Sequence, residues 1–300
     1  MRISRGSLVT VVAVLALAVI LGSACAAPAA PPIVPPPVTA PNEAPVISTI
    51  TADPSEIVQG TNTSTTITCV AADPDDDPLT YSWSASEGTI TGTGSQVIWA
   101  APDKSGNFNV ALTVADNRGS QATGSVTVSV LPPTKTVTIN AVATETGTVD
   151  QKNATDYSRT RAGDDALNVG YRAFWSFDTS SLAGKDIKSA RLNFTTGSIS
   201  GYPLAYNMPP SGLGGLLLWK DTYGSQLPAF GYVGAKLIGT GLIYEPPTSV
   251  DVTTHIKQIA AYGVSRFQVE ALFTKVSNGN ITADMIEWSS VVLEVTYSSK

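Results

Sequence analysis

The chain is poor in the residues that most reaction chemistries need. Among 300 residues there are one histidine and two cysteines, which excludes multi-cysteine zinc fingers, histidine-rich metal sites, paired-histidine haem ligation and disulfide-dense miniproteins. Charged residues make up only 14%, against roughly 25% in ordinary soluble domains. Basic residues are the scarcer sign: 18 Lys and Arg face 24 Asp and Glu, for a net charge of −6. A nucleic-acid partner would need a basic stripe to neutralise phosphates, so that class is excluded. No G-x-S-x-G elbow, H-E-x-x-H pair or P-loop occurs. What fills the space is Thr, Ser, Gly, Val and Ala, with 43% hydrophobic residues, enough to build cores.

Residues 1–24 read as a secretory leader. Arg2 and Arg5 precede an uncharged, mostly apolar run from Leu8 to Leu21, and small residues follow. The run is shorter than the ~20 residues that a membrane-spanning helix needs. Leu21-Gly-Ser-Ala-Cys25 resembles the bacterial lipobox, which implies cleavage before Cys25 and acylation of its sulfur. The alternative is an ordinary cut at an alanine such as Ala27. Acyl chains on one residue would hold the chain to a membrane, since each buried methylene adds about 0.8 kcal/mol. Loss of the leader removes two arginines and no acid, which moves the net charge from −6 to −8.

Residues 25–43 form a linker, with prolines at 28, 31, 32, 35, 36, 37 and 41. Proline removes backbone donors and favours extended polyproline II. At about 3.1 Å per residue the segment reaches roughly 50 Å, the length of a stalk.

Two β-rich blocks follow, and the fold class is all-β. Over 44–131, Ile67, Cys69 and Ala71 alternate with polar neighbours, as do Leu79, Tyr81 and Trp83, then Val110, Leu112 and Val114, then Val126, Val128 and Val130. With Val46–Ile50 and the Val97-Ile-Trp99 strand, that makes six or seven strands separated by Asp-, Gly- and Asn-rich turns, the pattern of an Ig-like sandwich. Asp73-PDDDPLTYSW83, followed by Trp99-AAPDKSGNFNVALTVADNRGSQATGSVTVSV130, resembles bacterial PKD-type modules. That resemblance implies a spacer or weak binding unit without catalysis. Cys69 has no partner strand cysteine and is expected as a small buried hydrophobe. Asp73, Asp75, Asp76 and Asp77 crowd one turn. They are expected first as turn formers. The alternative is a structural calcium site on Asp73, Asp75 and Asp77, since hard cations take several carboxylate oxygens.

Residues 134–300 hold eighteen of the chain's twenty-two aromatic residues. Strands are expected at 137–143, 172–178, 190–195, 215–220, 235–244, 267–273 and 291–297. One short helix is expected after Asp251, burying Ile256, Ile259 and Ala260 and ending at Gly263. His255 is expected on its surface. Few helices and long Gly/Pro-rich crossovers indicate a jelly-roll sandwich. Arg172-AFWSFDTSSLAGKDIKSARLNF194, Ser249-VDVTTHIKQIAAYG263 and Met285-IEWSSVVLEVTY297 resemble the DNRLRE-type domains, with Arg172, Phe177, Asp178, Leu182, Ala190, Leu192, Asp251, Glu287 and Tyr297 on matching positions. The resemblance implies a carbohydrate-binding-type jelly roll in secreted or wall-attached bacterial proteins.

Phe174, Trp175 and Phe177 sit on a near-continuously apolar strand and are expected in the core. Trp219, Tyr223, Phe230 and Tyr232 lie in a Gly/Pro-rich stretch and are the expected sugar-stacking set, with Tyr202 and Tyr206 in a second loop; the equal alternative is that these rings cover the sandwich edge or fill its core. The function expected is a non-catalytic surface lipoprotein that binds polysaccharide or another envelope component, held outside the cytoplasm by its lipid. A structural adhesin that binds protein is the alternative, and a polysaccharide lyase or hydrolase a third. No cofactor is expected beyond calcium.

Overall fold

The computed structural model describes residues 41–61, 63–204, 212–232, 236–239 and 241–298. The leader, Cys25 and nearly all of the proline-rich segment lie outside the described residues, as do Tyr206 and part of the 235–244 stretch.

The first sandwich is built from β1 (Val46–Asp53), β2 (Glu56–Val58), β3 (Ser64–Ala72), β4 (Thr80–Ala85), β5 (Thr89–Thr91), β6 (Gln96–Ala100), β7 (Gly106–Ala115) and β8 (Gln121–Leu131). They form two four-stranded sheets in the orders β1-β3-β6-β5 and β2-β8-β7-β4. Side chains alternate across a strand, so each sheet needs only every second residue to be apolar. Ile67, Val97, Trp99, Val110, Val128 and Val130 supply the inner layer, while Thr66, Thr68, Thr123 and Thr127 face outward. The Trp99 indole is fully enclosed and donates to the Glu87 carbonyl at 2.9 Å. Cys69 is buried and unbridged, and burial pushes its thiol pKa up. The two short strands β2 and β5 add to the six or seven expected from alternation.

The second set of strands is β9 (Thr134–Asn140), β10 (Gly147–Asp150), β11 (Thr155–Asp156), β12 (Thr160–Asp164), β13 (Gly170–Asp178), β14 (Asp186–Ser200), β15 (Leu216–Asp221), β16 (Lys236–Leu237), β17 (Ser249–Asp251), β18 (Arg266–Phe273) and β19 (Asp284–Ser298), with the helix α1 (Thr253–Tyr262) between β17 and β18. Hydrogen bonds run continuously through β16-β15-β18-β13-β12-β19-β14-β17, with β10 beside β13 and β9 beside β19. The sandwich is thus one sheet folded over on itself. Trp175, Phe177, Leu218, Phe267 and Val269 from one half meet Leu192, Phe194, Leu293 and Val295 from the other in a single core. β12 carries the sheet around the corner, pairing with β13 on one side and β19 on the other. A Cβ at Gly163 in β12 would collide with the Asp284 carbonyl, and its φ of +136° suits glycine alone.

Helix α1 closes one edge of this core. Its Ile256, Ile259 and Ala260 are buried as the apolar spacing requires, and Gly263 ends it at φ +65°. Asp251 Oδ1 accepts the Thr253 N–H at 2.8 Å. His255 departs from the expected surface position: it is buried against Phe267, its ring 6.4 Å away, and burial lowers its pKa. The strand expected over 235–244 shrinks to Lys236–Leu237 among the described residues, because Gly239 and Gly241 adopt left-handed conformations that turn the chain. No sheet or hydrophobic cluster of the described residues contains members from both sides of Pro132-Pro133.

Candidate functional site

The expected stacking set lies against the outer face of the folded sheet. In β18, Phe267, Val269 and Ala271 point into the core, so Arg266, Gln268 and Glu270 point outward. Phe174 and Ser176 of β13 and Asp221 of β15 share that face. The chain from 221 to 232 crosses it and seals it. Tyr223 packs its ring edge-on against Phe174, at 5.5 Å between centroids, and donates its hydroxyl to the Glu145 carbonyl at 2.8 Å. Burial, with Asp221 and Glu145 nearby, pushes its phenol pKa far up. Phe230 lies under the Arg172 guanidinium at 4.6 Å. Tyr232 gives its carbonyl to Arg172 Nη1 at 2.6 Å. Tyr223, Phe230 and Tyr232 are thus half-buried and help to fasten this loop to the sheet. Trp219 is half-buried on the same face, opposite Glu270.

Beneath the loop several polar groups bond to one another. Arg172 Nη1 reaches Glu270 Oε1 at 2.9 Å. Gln268 bridges the Gly224 N–H and carbonyl, and its Nε2 also donates to Ser176 Oγ at 3.2 Å. Ser176 Oγ donates to Glu145 Oε2 at 2.6 Å, and Arg266 holds the same carboxylate with two donors. Burial acts to raise the Glu145 pKa, but the Arg266 and Ser176 donors outweigh it and hold it below the usual range. Tyr, Arg and Glu meet here, and each is held by hydrogen bonds to its neighbours.

The acidic turn of the first sandwich brings Asp73, Asp75 and Asp77 together, each with an oxygen within 4.8 Å of the others. Asp73 Oδ1 accepts the N–H groups of Asp75 at 2.9 Å and Asp77 at 3.3 Å, which is the turn-forming role. Asp75 Oδ2 accepts the Glu43 N–H, and Arg118 lies 3.2 Å from Asp77 Oδ2. Asp73 Oδ2 and Asn42 Oδ1 are buried without a hydrogen-bond partner. Oxygens of that kind suit a hard cation.

A third place was not singled out from the sequence. β14 pairs with β19 along nearly its whole length, so β9 and β12 share the opposite edge of β19. β9 covers Val292–Ser298 and β12 covers Asp284–Trp288. Between them, Ser289–Val291 has no strand on that edge among the described residues. Register shifts at Thr195–Ser198, across from this stretch, bend the pair at the same point. The gap opens a cleft of about 370 Å³. Trp175 and Trp288, packed edge-to-face at 5.2 Å, line it, and Asn140, Ser158, Ser289 and Ser290 add polar groups. Tyr157, Arg159 and Glu287 stand around it. Tyr157 and Arg159 are exposed and Glu287 is half-buried. Among the described residues their side chains form no hydrogen bond or ion pair. Sequence reading passed over Tyr157 and Arg159 because they fall in a stretch without apolar periodicity. Glu287 and Trp288 were visible only as part of the closing motif.

The Ig-like order of β1 to β8 has a counterpart among known families. Residues 42–129 match the bacterial Ig domain. That Ig domain covers the acidic turn and ends at the last strand of the first sandwich. The chain is also similar to the PKD1 domain of Vibrio anguillarum Epp, at 24% identity and a TM-score of 0.25, over 31% of this chain and 100% of that one. A carbohydrate-binding module from the β-sandwich superfamily is similar at 12% identity and a TM-score of 0.30, over 87% of this chain and 94% of the module. The adhesin InvE of Yersinia pseudotuberculosis is similar at 13% identity and a TM-score of 0.24, over 81% of this chain and 58% of the adhesin. No curated protein matches the chain.

Proposed function

We propose that the chain is a non-catalytic surface protein whose second sandwich takes a saccharide into the cleft beside β19, with the Ig domain as a spacer. The observation that carries this reading is the set of Tyr157, Arg159 and Glu287, side chains without a hydrogen bond or ion pair among the described residues, around an open cleft floored by the buried Trp175–Trp288 pair. A ring platform and a few polar groups that converge are what a sugar site requires. The stalk and Cys25 fit a lipid-held protein outside the cytoplasm. No helix among the described residues is long and apolar enough to cross a membrane. The test is a glycan array followed by Tyr157→Ala. Stacking on one ring contributes about 1 kcal/mol, so the change is expected to weaken binding several-fold and leave the melting temperature in place, since Tyr157 is exposed. Trp219→Ala is expected to leave binding unchanged. Equal loss from both variants, or none from Tyr157→Ala, counts against the cleft.

A second reading, adhesion to a protein, draws on the far loops. Buried Asp164 and Asp284 bind the turns at 164–169, 200–204 and 277–284 together through Asn278, Asn280 and the Tyr202 N–H. Those turns expose Leu167, Tyr202 and Ile281. A fixed apolar tip of that kind fits a protein partner. Loss of adhesion in Leu167→Asp with glycan binding intact would favour it.

A further inference from the structure

Resting on the saccharide reading of the cleft, we infer that its ligand is a neutral, hydroxyl-rich glycan and not a polyuronate or sulfated polymer. The charged side chains around the cleft are one cation, Arg159, and one anion, Glu287. They are not paired with each other, and their nearest charged neighbours keep the balance even: Asp156 is close enough to Arg159 for the cation to lower its pKa, and Arg161 stands across from Glu287 in the β12–β19 register. A site built for an anionic chain would repeat cations along its length, and this one places a carboxylate in the path instead. The surrounding sandwich adds no attraction for an anionic chain, because residues 134–300 carry 14 Lys and Arg against 14 Asp and Glu. Like charges brought together at an interface suppress the wrong partner.

A neutral sugar satisfies both groups at once. Each hydroxyl both donates and accepts, whereas guanidinium only donates and carboxylate only accepts. Neighbouring hydroxyls on one ring therefore suit an Arg159 donor on one side and a Glu287 acceptor on the other. The remaining polar groups, Ser158, Ser290 and Asn140, are uncharged and read hydroxyls equally well. The apolar face of the same ring is left for Tyr157.

The experiment uses the full chain and two sets of hexasaccharides. The neutral set is cello-, xylo- and mannohexaose; the charged set is hexagalacturonate and hexamannuronate. Binding is measured by calorimetry at about 20 and 200 mM NaCl. The expected result is binding within the neutral set, with Kd changed less than about two-fold by salt. Glu287→Gln and Arg159→Gln should each weaken it by about ten-fold, with melting temperatures unchanged. Preference for a uronate, with Kd rising more than about ten-fold in salt or falling in Glu287→Gln, overturns the inference and leaves the saccharide reading standing. Failure of every member of both sets to bind a folded chain overturns the saccharide reading, and the inference with it.

Discussion

Arg172 Nη1 lies 2.9 Å from Glu270 Oε1 and 2.6 Å from the carbonyl oxygen of Tyr232, so one guanidinium ties β13 to β18 and both strands to the covering loop. The Glu270 side chain is fully buried. Removing one partner of such a pair costs about 3–5 kcal/mol, because the other charge stays enclosed without its counter-ion. Arg172→Met is expected to lower the melting temperature of the second sandwich by roughly 10 °C, at about 2–4 °C per kcal/mol for a domain of this size. An unchanged melt would show that the carboxylate finds water.

Asp221 makes the opposite case. It is buried, and burial raises its pKa, outweighing the Thr222 N–H and the Tyr232 hydroxyl that hydrogen-bond to it. A carboxylate whose folded pKa is raised favours the unfolded chain once pH climbs past the ordinary aspartate value of about 3.9. Below that value both states are protonated and the effect vanishes. Asp221→Asn should therefore be more stable than the wild type at pH 7 and equal to it near pH 3. Urea midpoints at the two pH values check this; an equal gain at both would point to a hydrogen-bond effect and not to charge.

Calcium is expected to stabilise the Ig domain. Asp73 Oδ2 and Asn42 Oδ1, buried without a hydrogen-bond partner near the acidic turn, are costly unless something binds them. Extracellular modules hold calcium at about 10⁻⁴–10⁻³ M. At ten times Kd the gain is about 1.4 kcal/mol, several degrees in a domain of this size. Calorimetric melts with calcium and with chelator should differ by that amount, and Asp73→Asn should abolish the difference. Identical melts would leave Asp73, Asp75 and Asp77 as a turn alone.

The two sandwiches are expected to fold separately, because Pro132-Pro133 separates their sheets and their hydrophobic clusters. Residues 44–131 and 134–300 made apart should each melt as in the full chain. Loss of cooperativity in either piece would reveal a shared core.

The sequence made the strong strands and the helix legible where the deciding forces are local. α1 carries its own start at Asp251, its own apolar spacing and its own Gly263 stop. β3, β7 and β18 alternate over eight residues or more. The strands that shape the cleft do not. β10, β11 and β12 read GTVD, TD and TRAGD, and only pairing makes them strands: β10 with β13, β11 with β10, and β12 with β13 and β19. The contacts of the aromatics at 219–232 were hidden for a related reason. A Gly/Pro-rich loop reads as exposed, but Tyr223 meets Phe174 and Glu145, both far away in the chain. Nothing near Tyr223 announces that contact.

β19 also sets the order in which this sandwich assembles. It holds β9, β12 and β14, and a hydroxyl bond between Thr136 and Thr296 joins residues 160 positions apart. Until residues 284–298 arrive, the earlier strands lack the partner that closes them, and pairings of such long sequence separation form slowly. A chain that stops before residue 284 would therefore leave this sandwich unclosed, however well its earlier strands are formed.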